Sequence, residues 1–142
     1  MFTDDEVAYL RSQPLARLST VAPDGQPDVV PVAFELADDG RLWVGGVGAA
    51  VLGTRKFRNI RAGHGLVALV VDDLVSLEPF VARGVRVYGH AEAPVERVGL
   101  VGPGVYSRIT PTVSWSWNLA GEPAGATWYP SHRITHRSLP DR

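Results

Sequence analysis

The first part of the chain contains three short apolar segments that are separated by tight turns. The segments cover residues 15–22, 28–36 and 41–47. The turn P-D-G-Q-P at 23–27 carries the Asp-Gly pair that is typical of β-hairpins, and A-D-D-G at 37–40 is a second turn signal. Strands that are joined by such short connections pair antiparallel. The sequence therefore predicts an antiparallel meander.

Three further segments continue this pattern towards the C-terminus. Residues 65–72 form a continuous apolar run, whose length and valines favour a buried strand over a helix. Residues 83–93 alternate between apolar and polar positions, and residues 107–119 do so with Trp115 and Trp117 in the same phase. Six strands with short turns predict a mainly β (α+β) fold, a six-stranded antiparallel β-barrel with short flanking helices.

The N-terminus predicts a helix within residues 1–14. Thr3 and Glu6 have the spacing of a capping box, and Pro14 stops the helix. The other segments are predicted to be a helix at 50–61, a loop at 73–83, a short helix within 94–105 and an irregular tail at 120–142. A length of 142 residues without an internal repeat predicts a single domain over 1–142.

Pro31 and Gly89 interrupt two of the predicted strands. Proline lacks the N–H that a central strand donates, so Pro31 is expected at an edge or a bulge. A backbone in such a position can face a ligand instead of another strand. Gly89 indicates a second bulge. The segment around Pro31 is therefore a candidate for backbone contacts with a ligand.

The composition excludes several classes of protein. The chain has no cysteine, which excludes disulfides and thiolate metal sites. A signal segment and an apolar run of about 20 residues are both missing, so a cytoplasmic protein without membrane spans is expected. The formal net charge of −1 argues against a nucleic-acid partner. His64, His132 and His136 lack the spacing of a metal site, and no metal is expected.

The stretch T-R-K-F-R-N-I-R-A-G at 54–63 concentrates positive charge. It contains Lys56, the only lysine of the chain, together with Arg55, Arg58 and Arg61. Lysine offers a compact point charge and arginine a planar fork, a combination that suits phosphate or carboxylate ligands. A solvated helix face is the alternative interpretation, and charge alone does not decide between the two.

The helical spacing of this stretch predicts which side chains lie together. Residues three and four apart share a face, so the three arginines form one stripe, and Lys56 and Asn59 lie on an adjacent stripe. Phe57 and Ile60 occupy the core side. Thr54 begins the turn and can form a hydrogen bond there. The glycines just before this stretch allow the backbone to approach a ligand, which favours an anion site.

Three phrases occur in a characteristic order along the chain. They are L-S-T-V-A-P-D-G-Q-P-D-V-V-P-V (18–32), R-K-F-R-N-I-R (55–61) leading into L-V-A-L-V-V-D-D (66–73), and R-G-V-R-V-Y-G-H-A-E (83–92). In this order and spacing the chain resembles the pyridoxamine-phosphate-oxidase-like (PPOX class) family of flavin and deazaflavin oxidoreductases. The resemblance covers roughly residues 1–118 and implies a split β-barrel of the FMN-binding type.

Two more phrases resemble one branch of that family. They are the N-terminal M-F-T-D-D-E-V-A-Y-L and the later I-T-P-T-V-S-W at 109–115. The branch uses the 8-hydroxy-5-deazaflavin coenzyme F420 and includes reductases of dehydrotetracyclines. The resemblance implies hydride transfer from the reduced deazaflavin to a conjugated C=C of a small molecule, with the final reduction of a dehydrotetracycline in antibiotic biosynthesis as one such reaction.

The resemblance also implies where the cofactor lies. In the family two chains form a homodimer, the cofactor occupies grooves between them, and its phosphate-bearing tail rests on the basic helix. Carried over by position, the implied contacts are Val30, Pro31 and Val32 at the ring system, Val44, Gly45 and Gly46 beneath it, Thr54, Lys56 and Asn59 at the phosphate and tail, and Arg55 and Arg58 as additional partners. The loop A-G-H-G at 62–65 departs from the family pattern, and no contact is carried over to it.

The number of basic residues bears on the cofactor. Coenzyme F420 carries a phosphodiester and a polyglutamate tail, whereas FMN carries one phosphate. Four neighbouring basic residues exceed what one phosphate requires, so the sequence favours F420. An FMN-dependent oxidoreductase of the same fold is the alternative, and a non-catalytic carrier of deazaflavin or flavin is a third interpretation.

Candidate substrate contacts lie on the last two predicted strands. The substrate contacts expected there are Arg86, which could polarise a carbonyl oxygen, Tyr88 and Trp115. Trp115 and Trp117, together with Trp43 and Trp128, could offer aromatic walls to a planar, polycyclic molecule. The simpler interpretations are a surface or interface salt bridge for Arg86 and ordinary packing for the aromatic side chains. No catalytic residue is assigned, although Tyr88, His90 and Tyr106 are candidate proton donors.

Overall fold

The computed structural model describes residues 1–137. Helix α1 (Asp4–Ser12) opens the chain, and its predicted capping box is confirmed. The Thr3 hydroxyl accepts a hydrogen bond from the Glu6 amide at 3.2 Å, and the Glu6 carboxylate accepts one from the Thr3 amide at 2.9 Å. Because the capping box fixes the start of the helix, the apolar side of α1 packs on the core through Tyr9 and Leu10.

Within residues 1–137, eight strands and one further α-helix follow α1. The strands are β1 (Leu15–Val21), β2 (Pro27–Leu36), β3 (Leu42–Gly46), β4 (Leu66–Ser76), β5 (Val81–Ala91), β6 (Val95–Gly99), β7 (Gly102–Trp117) and β8 (Ser131–Thr135). Helix α2 (Arg55–Arg61) lies between β3 and β4. All strand pairs are antiparallel, as the short turns of the sequence predict.

Six of the strands close into a barrel. Their spatial order is β3, β2, β1, β4, β5 and β7, and the pairing of β3 with β7 completes the ring. Strand β7 has 16 residues, so its first part pairs with β3 and β6 and its second part with β5 and β8. The predicted six-stranded antiparallel split barrel is confirmed, with β6 and β8 as two extra strands.

The barrel interior is filled by side chains from alternate strand positions. Burial of one large apolar side chain contributes about 1.5–3 kcal/mol, so this interior is the main source of stability. The side chains that are 0% exposed include Leu10, Leu18, Leu42, Val44, Phe57, Val71, Val85, Val87 and Ile109. Phe57 belongs to α2, and its burial therefore fixes the basic helix on the barrel.

The segment before β4 is less helical than predicted. Ala49–Gly53 form a 3₁₀ turn, Thr54 is extended with φ −68° and ψ 153°, and α2 begins only at Arg55. The prediction of one continuous helix over 50–61 is therefore wrong in its first half. Gly53 and Thr54 both have low helix propensity, which explains the break. The predicted core positions Phe57 and Ile60 are buried as expected.

The predicted loop at 73–83 is mostly a hairpin. Strand β4 continues to Ser76, and β5 begins at Val81. Leu74, Val75 and Leu77 are more than half exposed, so this hairpin projects beyond the core. A projecting hairpin has no buried face, and its sequence therefore lacks the alternation that would predict strands.

Two predictions for the C-terminal part are also wrong. The region 94–105 contains no helix; it forms β6, a turn and the start of β7, where Gly102 supplies the positive φ of 106°. The tail from residue 120 is irregular only up to residue 130, because Ser131–Thr135 form β8 against β7. Residues 138–142 of the predicted tail lie outside the described residues.

Candidate functional site

Helix α2 presents four cationic side chains without carboxylate partners. Arg55, Arg58 and Arg61 are exposed, whereas Lys56 is partly buried. Within residues 1–137, no carboxylate lies at salt-bridge distance from any of the four. Burial lowers the pKa of Lys56, and the charge of Asp28 opposes this shift. An ammonium group held away from water without an ion pair is suited to an anionic ligand.

Asn59 and Thr54 do not face the same surface as the basic side chains. Asn59 is 0% exposed, and its side-chain amide donates a hydrogen bond to the hydroxyl of Thr20 at 2.9 Å. The prediction that Asn59 shares a stripe with Lys56 is therefore wrong, and Asn59 ties α2 to β1. The Thr54 hydroxyl donates to the carbonyl of Val51 at 2.7 Å, so it closes the 3₁₀ turn.

Strand β2 has a free backbone edge at the predicted ring-contact segment. Its residues 27–33 pair with β1, but β3 pairs only with residues 34–36. Pro31 lies in the part without a β3 partner, which confirms its expected edge position. Val30 is half-buried, Pro31 is exposed and Val32 is buried. The backbone groups of this edge are thus open to a ligand.

The glycine at position 45, near the end of β3, is explained by the packing of β3 against β7. Val44 is 0% exposed, so only its backbone is open to contacts outside the core. A Cβ on Gly45 would lie 2.1 Å from the carbonyl oxygen of Val105 and 2.7 Å from Cα of Tyr106. The close approach of β3 to β7 therefore requires this glycine. A Cβ on Gly46 would meet only Val51, at an ordinary 3.6 Å.

A cavity of about 370 Å³ lies between the start of α2 and the β1–β2 turn. Its lining includes Arg55, Asp24 and Asp28. One carboxylate oxygen of Asp28 is buried and has no hydrogen-bond partner among the described residues. This cavity is thus lined by Arg55, which forms no salt bridge within residues 1–137, and by Asp28, one of whose carboxylate oxygens has no hydrogen-bond partner there. A ligand here would need hydrogen-bond donors as well as negative charge.

A second cavity, of about 400 Å³, lies on the outer face of β1, β4 and β5. Ser19, Val21, Ala68 and Tyr88 line it. The first cavity shares no lining residue with this one. We call the cavity on the outer sheet face the outer groove.

The three candidate substrate contacts, Arg86 and Tyr88 of β5 and Trp115 of β7, are brought together on the outer face of the barrel. The Arg86 guanidinium lies 4.1 Å from the ring centroid of Trp115 and 5.5 Å from that of Tyr88. Tyr88 and Trp115 meet edge-to-face with centroids 4.8 Å apart. Arg86 forms no salt bridge within residues 1–137 of one chain. The guanidinium is therefore held by aromatic faces and remains available to an anion.

The candidate proton donors differ in their surroundings. Tyr88 and His90 point outward from β5 and are exposed. Tyr106 is 2% exposed, and its hydroxyl donates to the carbonyl of Gly102 at 2.7 Å. Tyr106 is thus a structural residue, and the proton-donor interpretation is wrong for it.

Sequence reasoning places Trp117 beside Trp115, but it misses Tyr129 and Ser131 and gives Trp128 no position relative to them. Trp117, Trp128, Tyr129 and Ser131 share a cavity with Arg86 and Trp115. The i, i+2 spacing predicts that Trp115 and Trp117 share a face, and both line this cavity. No local signal could place residues 128–131 there, because β8 brings them in. Among residues 1–137 there is no group of side chains that could hold a metal ion, and no helix long and apolar enough for a membrane span.

Known proteins with similar sequences identify the family of this chain. Residues 2–99, more than half of the chain, match the family model described as pyridoxamine 5'-phosphate oxidase. The chain belongs to this family. The membership that the three phrases predict is therefore confirmed. As a member of the pyridoxamine 5'-phosphate oxidase family, the chain can be set beside relatives with the same barrel.

Three similar proteins differ in their sequence identity to this chain and in how much of it they cover. A protein of Streptomyces rimosus subsp. rimosus named 5a,11a-dehydrotetracycline/5a,11a-dehydrooxytetracycline reductase is 44% identical over 92 residues, 65% of this chain and 63% of the relative. The match thus spans less than two thirds of that relative. A conserved hypothetical protein from Mycobacterium tuberculosis has a TM-score of 0.66 at 23% identity, covering 89% of this chain and 92% of that one. A structure named F420 reductase has a TM-score of 0.55 at 25% identity, covering 72% and 90%.

The site can be tested against the cofactors of the family, which are of the flavin type. Such cofactors combine an anionic tail with a planar ring. The unpaired side chains of Lys56, Arg55 and Arg58 fit the tail, and the free edge of β2 around Pro31 offers hydrogen-bonding groups to the ring. The residues present therefore fit a cofactor of this type. Asn59 is not among them, because it is buried against Thr20.

Proposed function

We propose that this protein is an oxidoreductase that uses coenzyme F420 to reduce a conjugated C=C of a small molecule. The observation that carries this proposal is the unpaired positive charge of α2. Lys56 is partly buried and has no ion pair within the described residues, and Arg55 and Arg58 lie beside it. This charge exceeds what the single phosphate of FMN requires and suits a longer anionic tail.

The relative named dehydrotetracycline reductase supports the choice of reaction. It is 44% identical to this chain over 92 residues. The structure named F420 reductase supports the choice of cofactor, with 25% identity and a TM-score of 0.55. A dehydrotetracycline is therefore the first substrate to test, and its final reduction in antibiotic biosynthesis is the cellular reaction that we propose, within the cytoplasm.

Each part of the candidate site has a role in this proposal. Lys56, Arg55 and Arg58 would bind the anionic tail, and the backbone of residues 30–32 would contact the ring. Residues 44–46 would contact the ring through their backbone, since the Val44 side chain is buried in the core. The substrate would lie towards Tyr88, which lines the outer groove.

The chain has little covalent chemistry to perform. When bound, a reduced deazaflavin supplies the hydride. The residues of the groove orient the substrate and exclude water, which is where most of the rate enhancement of such an enzyme arises. Reduction of the double bond also consumes a proton. Tyr88 and His90 are the exposed side chains of β5 that could deliver it, and solvent is the other source.

We also propose a homodimer that completes the groove. Two hairpins expose apolar side chains. They are Leu74, Val75 and Leu77 in the β4–β5 hairpin, and Val95, Val98, Leu100 and Val101 in the β6–β7 hairpin, each 49–74% exposed. Exposed apolar side chains of this kind favour association, and a second copy would cover the open side of the groove. Sedimentation equilibrium would measure the expected dimer mass.

The decisive experiment is a pair of fluorescence titrations with coenzyme F420 and with FMN. We expect micromolar or tighter binding of F420 and weaker binding of FMN. Oxidation of reduced F420 on addition of a dehydrotetracycline would then establish the reaction. Preference for FMN would overturn the cofactor assignment in favour of the flavin alternative. Binding of F420 without its oxidation by any enone would instead identify a carrier.

A further inference from the structure

The outer face of β5, β7 and β8 carries a cavity that the sequence did not predict as a unit. It has a volume of about 260 Å³ and is walled by aromatic side chains with one arginine. The lining residues are Arg86, Trp115, Trp117, Trp128, Tyr129 and Ser131. We call it the aromatic cavity. Its volume lies just below the roughly 300–1,000 Å³ of sites for drug-sized ligands, so it suits one end of a polycyclic molecule.

The strand register explains why charge gathers on one wall of this cavity. Arg86 of β5 pairs with Trp115 of β7, and Trp115 pairs with Arg133 of β8. Both guanidinium groups lie near the indole ring, at 4.1 Å for Arg86 and 6.0 Å for Arg133. Neither has a salt-bridge partner in the described part of the chain. Trp115 is thus flanked by two positive charges that nothing on the sheet neutralises.

The opposite wall is built by a pinned segment rather than by a loose loop. The side-chain amide of Asn118 donates to the Ala82 carbonyl at 2.7 Å, and the amide of Ala124 donates to the Phe80 carbonyl at 2.8 Å. The Tyr129 hydroxyl lies 2.9 Å from the carbonyl oxygen of Glu122. The first two bonds fasten this segment to the β4–β5 hairpin, and the third joins Tyr129 to the same segment. The wall therefore keeps its shape in the absence of a ligand.

Trp128 is the exposed part of this wall. Its side chain is 63% exposed, although it contacts Tyr129 edge-to-face at 5.1 Å and Phe80 at 6.0 Å. A large indole is costly to leave in water, and here it lines the same cavity as Arg86 and Trp115. An aromatic ring inserted between these walls would cover Trp128 and stack against it.

We propose that the aromatic cavity binds a planar conjugated ring that carries an ionised oxygen, such as an acidic enol, a phenol or a carboxylate. The ring packs among Trp115, Trp117 and Trp128, and the anionic oxygen pairs with Arg86. This inference rests on the proposed function, because the cavity then receives the non-reacting end of the substrate. Tyr88 contacts Trp115 and also lines the outer groove, so one molecule can reach from the cavity towards the cofactor.

The test compares two probes with the same ring and similar shape, anionic 2-naphthoate and neutral 2-naphthamide, by isothermal titration calorimetry on the whole chain without cofactor. We expect naphthoate to bind more tightly than naphthamide. The variant Arg86→Gln should weaken naphthoate by roughly tenfold, the lower end for a charge-assisted contact, and leave naphthamide unchanged. The variant Trp128→Ala should weaken both probes.

Arg97→Gln provides a matched control. Arg97 also lies 4.1 Å from an indole ring, that of Trp43, but it is paired with Glu35 and lies outside the cavity. Its replacement should affect neither probe. Thermal unfolding of each variant would verify that the barrel is intact, and Arg86→Lys, which retains the charge, should retain most of the preference for naphthoate.

Equal binding of the two probes, or an Arg86→Gln variant that binds naphthoate like the wild type, would overturn the proposal. The proposal would also be overturned if neither probe bound and the Trp128→Ala variant sedimented as a monomer. That result would show that a second copy of the chain occupies the cavity. The probes need no cofactor. Naphthoate binding in a protein that does not bind F420 would therefore uphold the cavity while refuting the proposed reductase.

Discussion

The arginines of the barrel and the cations of its two candidate sites differ in their partners. In the part of the chain that the structure describes, six arginines form salt bridges, and the pairs are Arg11–Asp38, Arg17–Asp72, Arg41–Asp39, Arg83–Asp73, Arg97–Glu35 and Arg108–Glu92. The four cations of α2 form none within residues 1–137, and the same holds for Arg86 and Arg133. The first group is spread over the barrel, whereas the second forms two clusters beside cavities.

This difference separates charge that serves the fold from charge that is open to a ligand. Arg83 joins β5 to Asp73 of β4 at 2.9 Å, and the Tyr9 hydroxyl of α1 donates to the same carboxylate at 2.7 Å. Such pairs tie separate segments together and cancel their own charge. Lys56 in contrast is partly buried and forms no salt bridge within residues 1–137, and the charge of Asp28 offsets the cost of its burial only in part. The absence of pairing is thus the better indicator of a site than the number of basic residues.

The largest effect is expected from removing the unpaired charge of α2. The variant Lys56→Ala should weaken F420 binding by about 1.5–3 kcal/mol, the range for a hydrogen bond to a charged group. Its thermal stability should change little, because Lys56 forms no salt bridge within residues 1–137. Fluorescence titration and thermal unfolding would measure the two quantities. Unchanged affinity would show that Lys56 is not part of the cofactor site. It would contradict the view that unpaired cations mark a binding site.

The reverse outcome is expected for the paired carboxylate Asp73. The variant Asp73→Asn should lower the free energy of unfolding by about 1–2 kcal/mol, because Arg83 and Tyr9 lose a charged partner. F420 binding should stay within error of the wild type. Urea unfolding and the titration would show whether stability and binding respond separately. A loss of binding without a loss of stability would contradict the division into two groups.

The same carboxylate predicts an acid dependence. Burial raises the pKa of Asp73, but the hydrogen bonds from Arg83 and Tyr9 together outweigh it, and the net pKa lies below the ordinary 3.8. A lowered folded-state pKa contributes stability above pH 3.8, and this stability is lost as the pH falls below that value. Between neutral pH and pH 3, the wild-type protein should therefore lose more stability than Asp73→Asn. The difference should not exceed the roughly 1–2 kcal/mol expected for the contacts of Asp73. Parallel curves would contradict this account.

A smaller effect is expected from alkaline pH on F420 binding. Burial lowers the pKa of Lys56, so the ammonium loses its proton earlier than that of an exposed lysine. Affinity should decline as the pH rises towards this pKa, by less than about tenfold for each pH unit. The variant Lys56→Arg stays charged and should show a flatter profile. Equal profiles for the two proteins would show that Lys56 does not bind the anion as an ammonium.

The smallest effect is expected for the exposed pair of Arg11 and Asp38. Their side chains are 48% and 103% exposed, and such pairs contribute about 0–1 kcal/mol. The variant Arg11→Ala removes one positive charge, as Lys56→Ala does, yet it should leave F420 binding unchanged. Stability should change little. A loss of affinity as large as that of Lys56→Ala would show that net charge, and not the local cluster, controls binding.

Local patterns were sufficient for most of the barrel. The Asp-Gly turn, the alternating segments and the capping box of Thr3 and Glu6 each act within a few residues, so the sequence alone predicts them. The burial of Asn59 depends on Thr20, which lies 39 residues away, and no helical spacing could indicate it. Strand β8 likewise exists because β7 has an edge beyond residue 112 for it to pair with. The aromatic cavity depends on that pairing, and it therefore appears only in the structure.

The lone lysine also has a consequence for chemical modification. Reagents that acylate unprotonated amines find one side-chain target in this protein, Lys56, besides the N-terminal amine. Because its pKa is lowered, Lys56 offers more of the reactive free base at mildly alkaline pH than an ordinary lysine does. A bound anion would shield this amine and keep it protonated. The extent of acylation of one peptide, followed by mass spectrometry, would then measure how much of the protein carries its cofactor, even in an unfractionated extract.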